Sequence, residues 1–217
     1  MNLPDPLRPT ASGRFGRVLR ATVGKLLLAA FRVREIGRAH VPAGGAILAG
    51  NHISYGDPVL LWCRSPRPVH FMAKSELWDV PVLGWALSQV WAFPVRRGQA
   101  DRQALAVAHE LLKRGDLVGI FPEGTRNRTG DAEAQGGVAF AALRADVPVV
   151  PVGIAGTDRI KPTGARMIRF PRVTIRYGEP IHPAQFAEIA GRKERVEAFT
   201  AVLMARIAEE LDAARKA

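Results

Sequence analysis

The chain has 217 residues, 47% of them apolar and 24% charged, with a formal net charge of +11. This length and apolar content predict one globular domain with a real core and exclude a disordered chain. The single cysteine, Cys63, excludes an internal disulfide framework and a cysteine-rich zinc site, and predicts a reducing, cytoplasmic setting. The positive balance predicts an anionic partner: nucleic acid, an anionic membrane or a phosphorylated substrate.

Residues 1–12 carry three prolines and read as a loose leader. Residues 14–34 follow a helical period. At about 100° per residue, Phe15, Leu19, Val23, Leu26, Leu27 and Phe31 share one side. Arg14, Arg17, Lys25 and Arg32 cluster opposite, while Arg20 and Leu28 break the pattern. Up to Glu35 the chain holds seven Lys/Arg against two Asp/Glu. A basic amphipathic helix of this kind is expected to lie on an anionic bilayer, and the alternative is a surface helix packed on the core. No segment reaches the roughly 18–20 apolar residues of a spanning helix, and no signal-peptide pattern opens the chain. The expected association is therefore peripheral, at the cytoplasmic face of the membrane. The domain division that follows is 1–35, a basic leader with a membrane-associating helix, and 36–217, the folded domain.

Strands are expected at 46–49, 70–73, 90–95, 117–121, 147–154 and 173–177. Pro148 and Pro151 make the fifth of these irregular or near an edge. Helices are expected at 57–64, 80–89, 100–113, 137–144 and 192–215. Cys63 falls in the apolar run after Val59 and reads as a buried small hydrophobe rather than a nucleophile. The alternation predicts the α/β class: a single layered domain with a mostly parallel central sheet flanked by helices, plus the N-terminal amphipathic helix.

Three polar segments follow predicted strands, where sites of open α/β sheets lie. In Asn51-His52-Ile53-Ser54-Tyr55-Gly56-Asp57-Pro58, a His and an Asp five apart across a turn can meet. The carboxylate would fix the imidazole tautomer, giving a general base for a hydroxyl. Taken alone, the pair reads more simply as a structural bond in a turn. In Phe93-Pro94-Val95-Arg96-Arg97-Gly98, two arginines before a helix start suit phosphate. A solvated basic turn is the plainer reading. In Phe121-Pro122-Glu123-Gly124-Thr125-Arg126, Gly124 would let backbone approach a ligand, Glu123 could bind a hydroxyl and Arg126 a phosphate.

These segments, with Val147-Pro148-Val149-Val150-Pro151-Val152, stand in the order of the four motif blocks of the glycerolipid acyltransferase family, which the chain resembles over roughly residues 35 to 180. The ordered set is more specific than any single piece. The resemblance implies that His52 is the catalytic base and Asp57 its orienting partner. It places acceptor binding on Arg96 with its neighbour Arg97, and on Glu123, Gly124, Thr125 and Arg126. It makes Pro151 a shaper of the acyl or acceptor pocket. It also implies transfer of a fatty acyl group from acyl-CoA or acyl carrier protein, as co-substrate, to the free hydroxyl of 1-acylglycerol-3-phosphate, giving phosphatidate. No metal and no resident cofactor are expected. Gln135 stands where relatives often carry lysine, and Gly56 where a bulkier residue is common. Both departures bear on the acceptor, so glycerol-3-phosphate, a lysophospholipid or a lipid headgroup remain alternatives. A non-catalytic nucleic-acid-binding protein is the reading from another class. It lacks a recognised module and an aromatic-rich basic stripe.

Overall fold

The computed structural model describes residues 12–96, 101–123, 136–162, 164 and 167–217. In chain order the elements are α1 (Ser12–Leu19), a π-helical turn (Arg20–Gly24), α2 (Lys25–Ala30), β1 (Arg34–Ile36), β2 (Ala46–Gly50), α3 (Gly56–Arg64) and β3 (Val69–Lys74). They continue with α4 (Pro81–Gln89), β4 (Ala92–Val95), α5 (Arg102–Lys113), β5 (Leu117–Ile120), α6 (Gly137–Ala145), β6 (Val149–Ala155), β7 (Thr174–Tyr177) and α7 (Arg192–Lys216).

The seven strands form one sheet in the order β1-β7-β6-β2-β5-β3-β4. Every neighbouring pair is parallel except β6 with β7. The expected α/β architecture is what forms. Strand β2, AILAG, is central and buried throughout. A strand covered on both faces reads as a continuous apolar run, and this one does. Its side chains alternate between two cores. Ile47 and Ala49 face α5, α6 and α7, while Ala46 and Leu48 face α3 and the N-terminal helices. Helix α7 seats on β6 at Gly153, where a Cβ would lie 2.2 Å from the Glu210 carbonyl carbon. Only a glycine permits that approach.

Two expectations are corrected. Strand β6 is interior, between β7 and β2, and not an edge. It tolerates Pro151 because β7 ends at Tyr177, before that register. The Pro151 carbonyl accepts the Gly178 N–H at 2.9 Å, and the missing N–H breaks no named ladder pair on that side.

The second correction concerns the N-terminal helix, which is not one continuous stripe. The π-helical turn adds a residue to one turn and resets the phase. The break at Arg20 and Leu28 has this cause. Arg20 turns inward and donates to the Cys63 carbonyl at 3.3 Å and to the Ser65 carbonyl, capping the end of α3. Leu19, Leu27, Leu28 and Phe31 pack on the core, while Phe15, Val18 and Leu26 remain outward. Short strand β1, outside the sequence expectations, ties this segment to β7.

Candidate active site

The C-terminal ends of β2, β3, β4, β5 and β6 share one edge of the sheet, as parallel pairing requires. His52 lies just beyond the central strand. Its Nδ1 is 3.1 Å from Asp57 Oδ2, and Asp57 is completely buried. The same carboxylate oxygen accepts the backbone N–H groups of Ile53 and Ser54, each at 2.7 Å. Asp57 sits in the first turn of α3, where the helix dipole also favours negative charge. A carboxylate can only accept, so Nδ1 carries the proton and Nε2 is left as the basic nitrogen. The imidazole stacks on Phe121, with centroids 4.4 Å apart, which fixes its plane.

Asn51 fixes the start of the loop. Its side-chain amide donates to the Ile154 carbonyl at 3.0 Å and accepts the Ile154 N–H at 2.7 Å. That clamp extends the pairing of β2 with β6 by one side chain. Asn51 and Phe121 are positioning residues that were not separately assigned from sequence. A buried Asn at a strand end and an aromatic heading the third motif were the signals available.

The third segment reaches the same place. The His52 backbone N–H donates to Glu123 Oε2 at 3.4 Å, so the first and third motifs meet. Gly124, Thr125, Arg126, Gln135 and Arg97 lie outside the described residues. Arg96 follows β4 with its side chain exposed. Its backbone N–H donates to Asp101 Oδ2 at 2.8 Å. Asp101 also caps α5 through the N–H groups of Gln103 and Ala104. Burial pushes the Asp101 carboxyl up, but hydrogen bonds from Arg96, Ala104 and Gln103 outweigh it and hold it below its ordinary range. The start of α5 is thus already filled by a carboxylate. Pro151 lies inside β6, with a ring carbon close enough to Gly178 that a Cβ there would sit 2.9 Å away.

His52 lines a cavity of about 1150 Å³, walled mainly by Leu27, Val59, Trp62, Leu77, Leu87 and Phe121. The cavity runs between α3, α4 and the N-terminal helices, so one mobile-chain ligand could lie along apolar walls with its reactive end at the imidazole. Cys63 lines it as well. Burial raises its thiol to about 11, against a weaker opposing effect of Arg20. It is a wall and not a nucleophile. The other histidines lie elsewhere: His40 Nδ1 meets the Tyr177 carbonyl, and burial pushes His70 down, with Asp116 opposing.

A family model described as Acyltransferase matches residues 32–155. The chain belongs to the acyltransferase family. It is 32% identical over 179 residues to a 1-acyl-sn-glycerol-3-phosphate acyltransferase of Bacillus subtilis, covering 82% of this chain and 87% of that one. It is 35% identical over 130 residues to a lyso-ornithine lipid O-acyltransferase of Pseudomonas aeruginosa, covering 58% of this chain and 48% of that one. The crystal structure of a 1-acyl-sn-glycerophosphate acyltransferase from Thermotoga maritima superposes with a TM-score of 0.69 at 25% identity, covering 94% of this chain and 83% of that chain. The protein is an O-acyltransferase, and the matched segment contains His52, Asp57, Arg96 and Glu123.

Proposed function

We propose that this acyltransferase moves a fatty acyl group from a thioester to the free hydroxyl of 1-acylglycerol-3-phosphate, with His52 as general base. The observation that carries the reading is the His52–Asp57 pair at the head of the central strand, opening into the large apolar cavity. His52 Nε2 takes the hydroxyl proton as the acceptor oxygen attacks the thioester carbonyl carbon. Asp57 stabilises the imidazolium that results. The new C–O bond forms, the C–S bond breaks, and the leaving thiolate takes the proton back from the imidazolium. The products are an ester and a free thiol. Acyl-CoA and acyl carrier protein both supply such a thioester.

We assign acceptor phosphate to Arg96, its sequence neighbour Arg97 and Arg126, with Glu123, Gly124 and Thr125 shaping the acceptor site. Pro151, within β6, is taken as a shaper of the acyl or acceptor pocket. Lipid substrates place the enzyme on a membrane surface. The outward Val18 and Leu26 of the N-terminal helices, with Arg17 and Lys25 beside them, support peripheral binding to an anionic cytoplasmic leaflet. No helix among the described residues is long and apolar enough to cross a membrane.

A second acceptor has a specific observation behind it. The Pseudomonas relative is named for a lyso-ornithine lipid, and Gln135 stands where the family resemblance implies a lysine is common. Thiol release from one acyl-CoA, measured with lysophosphatidate, glycerol-3-phosphate and lyso-ornithine lipid in turn, separates these readings. Lysophosphatidate should give the highest kcat/KM. A higher value for lyso-ornithine lipid would transfer the assignment to that headgroup.

A further inference from the structure

The reaction brings two anionic reactants to one imidazole. Of the cations assigned to the acceptor, the described one, Arg96, follows β4, three strands from β2 in the direction of β5. A second basic group lies on the other side. Beyond β6, the immediate neighbour of β2, a cavity of about 330 Å³ is lined by Arg159, Arg172 and Arg215, with Ile53 and Asp158. Ile53 is the residue after His52, so this cavity touches the same loop.

Its lining side chains carry an excess of positive charge. Three guanidinium groups line it against one side-chain carboxylate, Asp158. Arg215 Nη1 pairs with Asp212 at 3.2 Å, and Arg159 Nη2 makes only a long contact, 3.5 Å, to the Arg172 carbonyl. The guanidinium of Arg172 has no partner among the described residues. The terminal Ala217 oxygen at the rim is already held by Arg34 Nη1 at 2.5 Å. Gly156 holds the corner: its φ is +95°, and a Cβ there would lie 2.3 Å from the Arg172 carbonyl oxygen. The turn therefore brings residues 159 and 172 side by side, and clustered guanidiniums in a concave polar site favour a multiply charged oxyanion.

We propose that this cavity receives the phosphate end of the acyl donor's phosphopantetheine arm. The inference rests on the acyl-transfer reading of His52. The thioester then lies at the imidazole, the acyl chain fills the apolar cavity on the α3 face, and the donor's phosphate sits past Ile53 over β6 and β7. The acceptor phosphate is kept to the opposite side, so the two anions do not compete for one set of cations. Phosphopantetheine phosphate is common to coenzyme A and acyl carrier protein. The site thus recognises donors of either kind.

The test is steady-state kinetics on the full chain with Arg159→Ala, Arg172→Ala and the double variant. Donors are acyl-CoA, acyl carrier protein and the phosphate-free acyl-N-acetylcysteamine thioester. Loss of a charge-assisted contact predicts a donor KM raised on the order of tenfold per arginine. The preference for acyl-CoA over the phosphate-free thioester should shrink by the same factor. Loss with both carriers supports the shared phosphate, and loss with acyl-CoA alone overturns that assignment in favour of the nucleotide phosphates. A raised KM for lysophosphatidate with the donor KM unchanged overturns it, as does no change in either. Calorimetry with coenzyme A alone gives a second readout, with binding weakened in the variants. Arg159→Lys and Arg172→Lys, checked by thermal melting, keep the charge and should lose less than the alanine variants. Wild-type protein with no acceptor-dependent thiol release would instead remove the acyl-transfer reading itself.

Discussion

At the residue scale, catalysis depends on which imidazole nitrogen carries the proton. Asp57 is buried and accepts from Nδ1 of His52 and from the N–H groups of Ile53 and Ser54. Asp57→Asn would present an amide donor to Nδ1, moving the ring proton to Nε2, where the base is needed. The expected outcome is a fall in kcat of roughly two to four orders of magnitude, with the donor KM little changed. Circular dichroism would check that the loop variant stays folded. A kcat within a few-fold of wild type would show that Asp57 does not set the tautomer. Cys63 gives a different expectation. Burial holds its thiol at about 11 against an ordinary 9.0, so the folded state keeps a proton that the unfolded chain loses. Stability from this group is therefore complete below about pH 9 and declines as pH rises from about 9 to about 11. Melting temperature measured across that window should fall less steeply in Cys63→Ala than in wild type.

At the element scale, the N-terminal helices separate two jobs. Their inner face closes the apolar cavity with Leu19, Val23 and Leu27, and Arg20 locks them to the end of α3. Their outer face carries Val18 at 60% exposure and Leu26 at 71%. Helix α4 continues that surface through Trp85, whose ring lies 5.6 Å from Phe15. Val18→Glu with Leu26→Glu should weaken binding to anionic vesicles at least about tenfold, because two exposed apolar anchors are lost. The melting temperature should not change, since neither side chain is in the core. Undiminished sedimentation with vesicles would remove these helices from the membrane contact. The limits of sequence reading are visible in the same segment. Period 3.6 found the helix, and the break at Arg20 and Leu28 marked where the phase fails, but it did not identify the π-helical turn that shifts it. Strands β2 and β5 were legible because burial on both faces leaves continuous apolar runs. Strand β6 was expected to be irregular or near an edge because Pro148 and Pro151 argue that way. Its interior position depends on where β7 ends, which is a tertiary fact.

At the scale of the whole molecule, the sheet order puts His52 at the centre and spreads its polar partners along one edge. The His52–Asp57 contact was legible from a five-residue offset across a strand-to-helix turn. The Asn51 clamp to Ile154 was not, because it joins residues 103 apart in sequence. The apolar cavity was equally hidden, since its walls come from helices and strands scattered between residues 19 and 121. The net charge of +11 is consistent with two phosphate-bearing reactants and an anionic surface, and it does not distinguish between them. The measurement closest to the central claim is acceptor-dependent thiol release from acyl-CoA by His52→Ala beside wild type, with both proteins shown to be folded. A general base accounts for roughly a hundred- to ten-thousandfold of rate, so the variant should release thiol at or near background when lysophosphatidate is added. Turnover in His52→Ala equal to that of wild type would contradict the account.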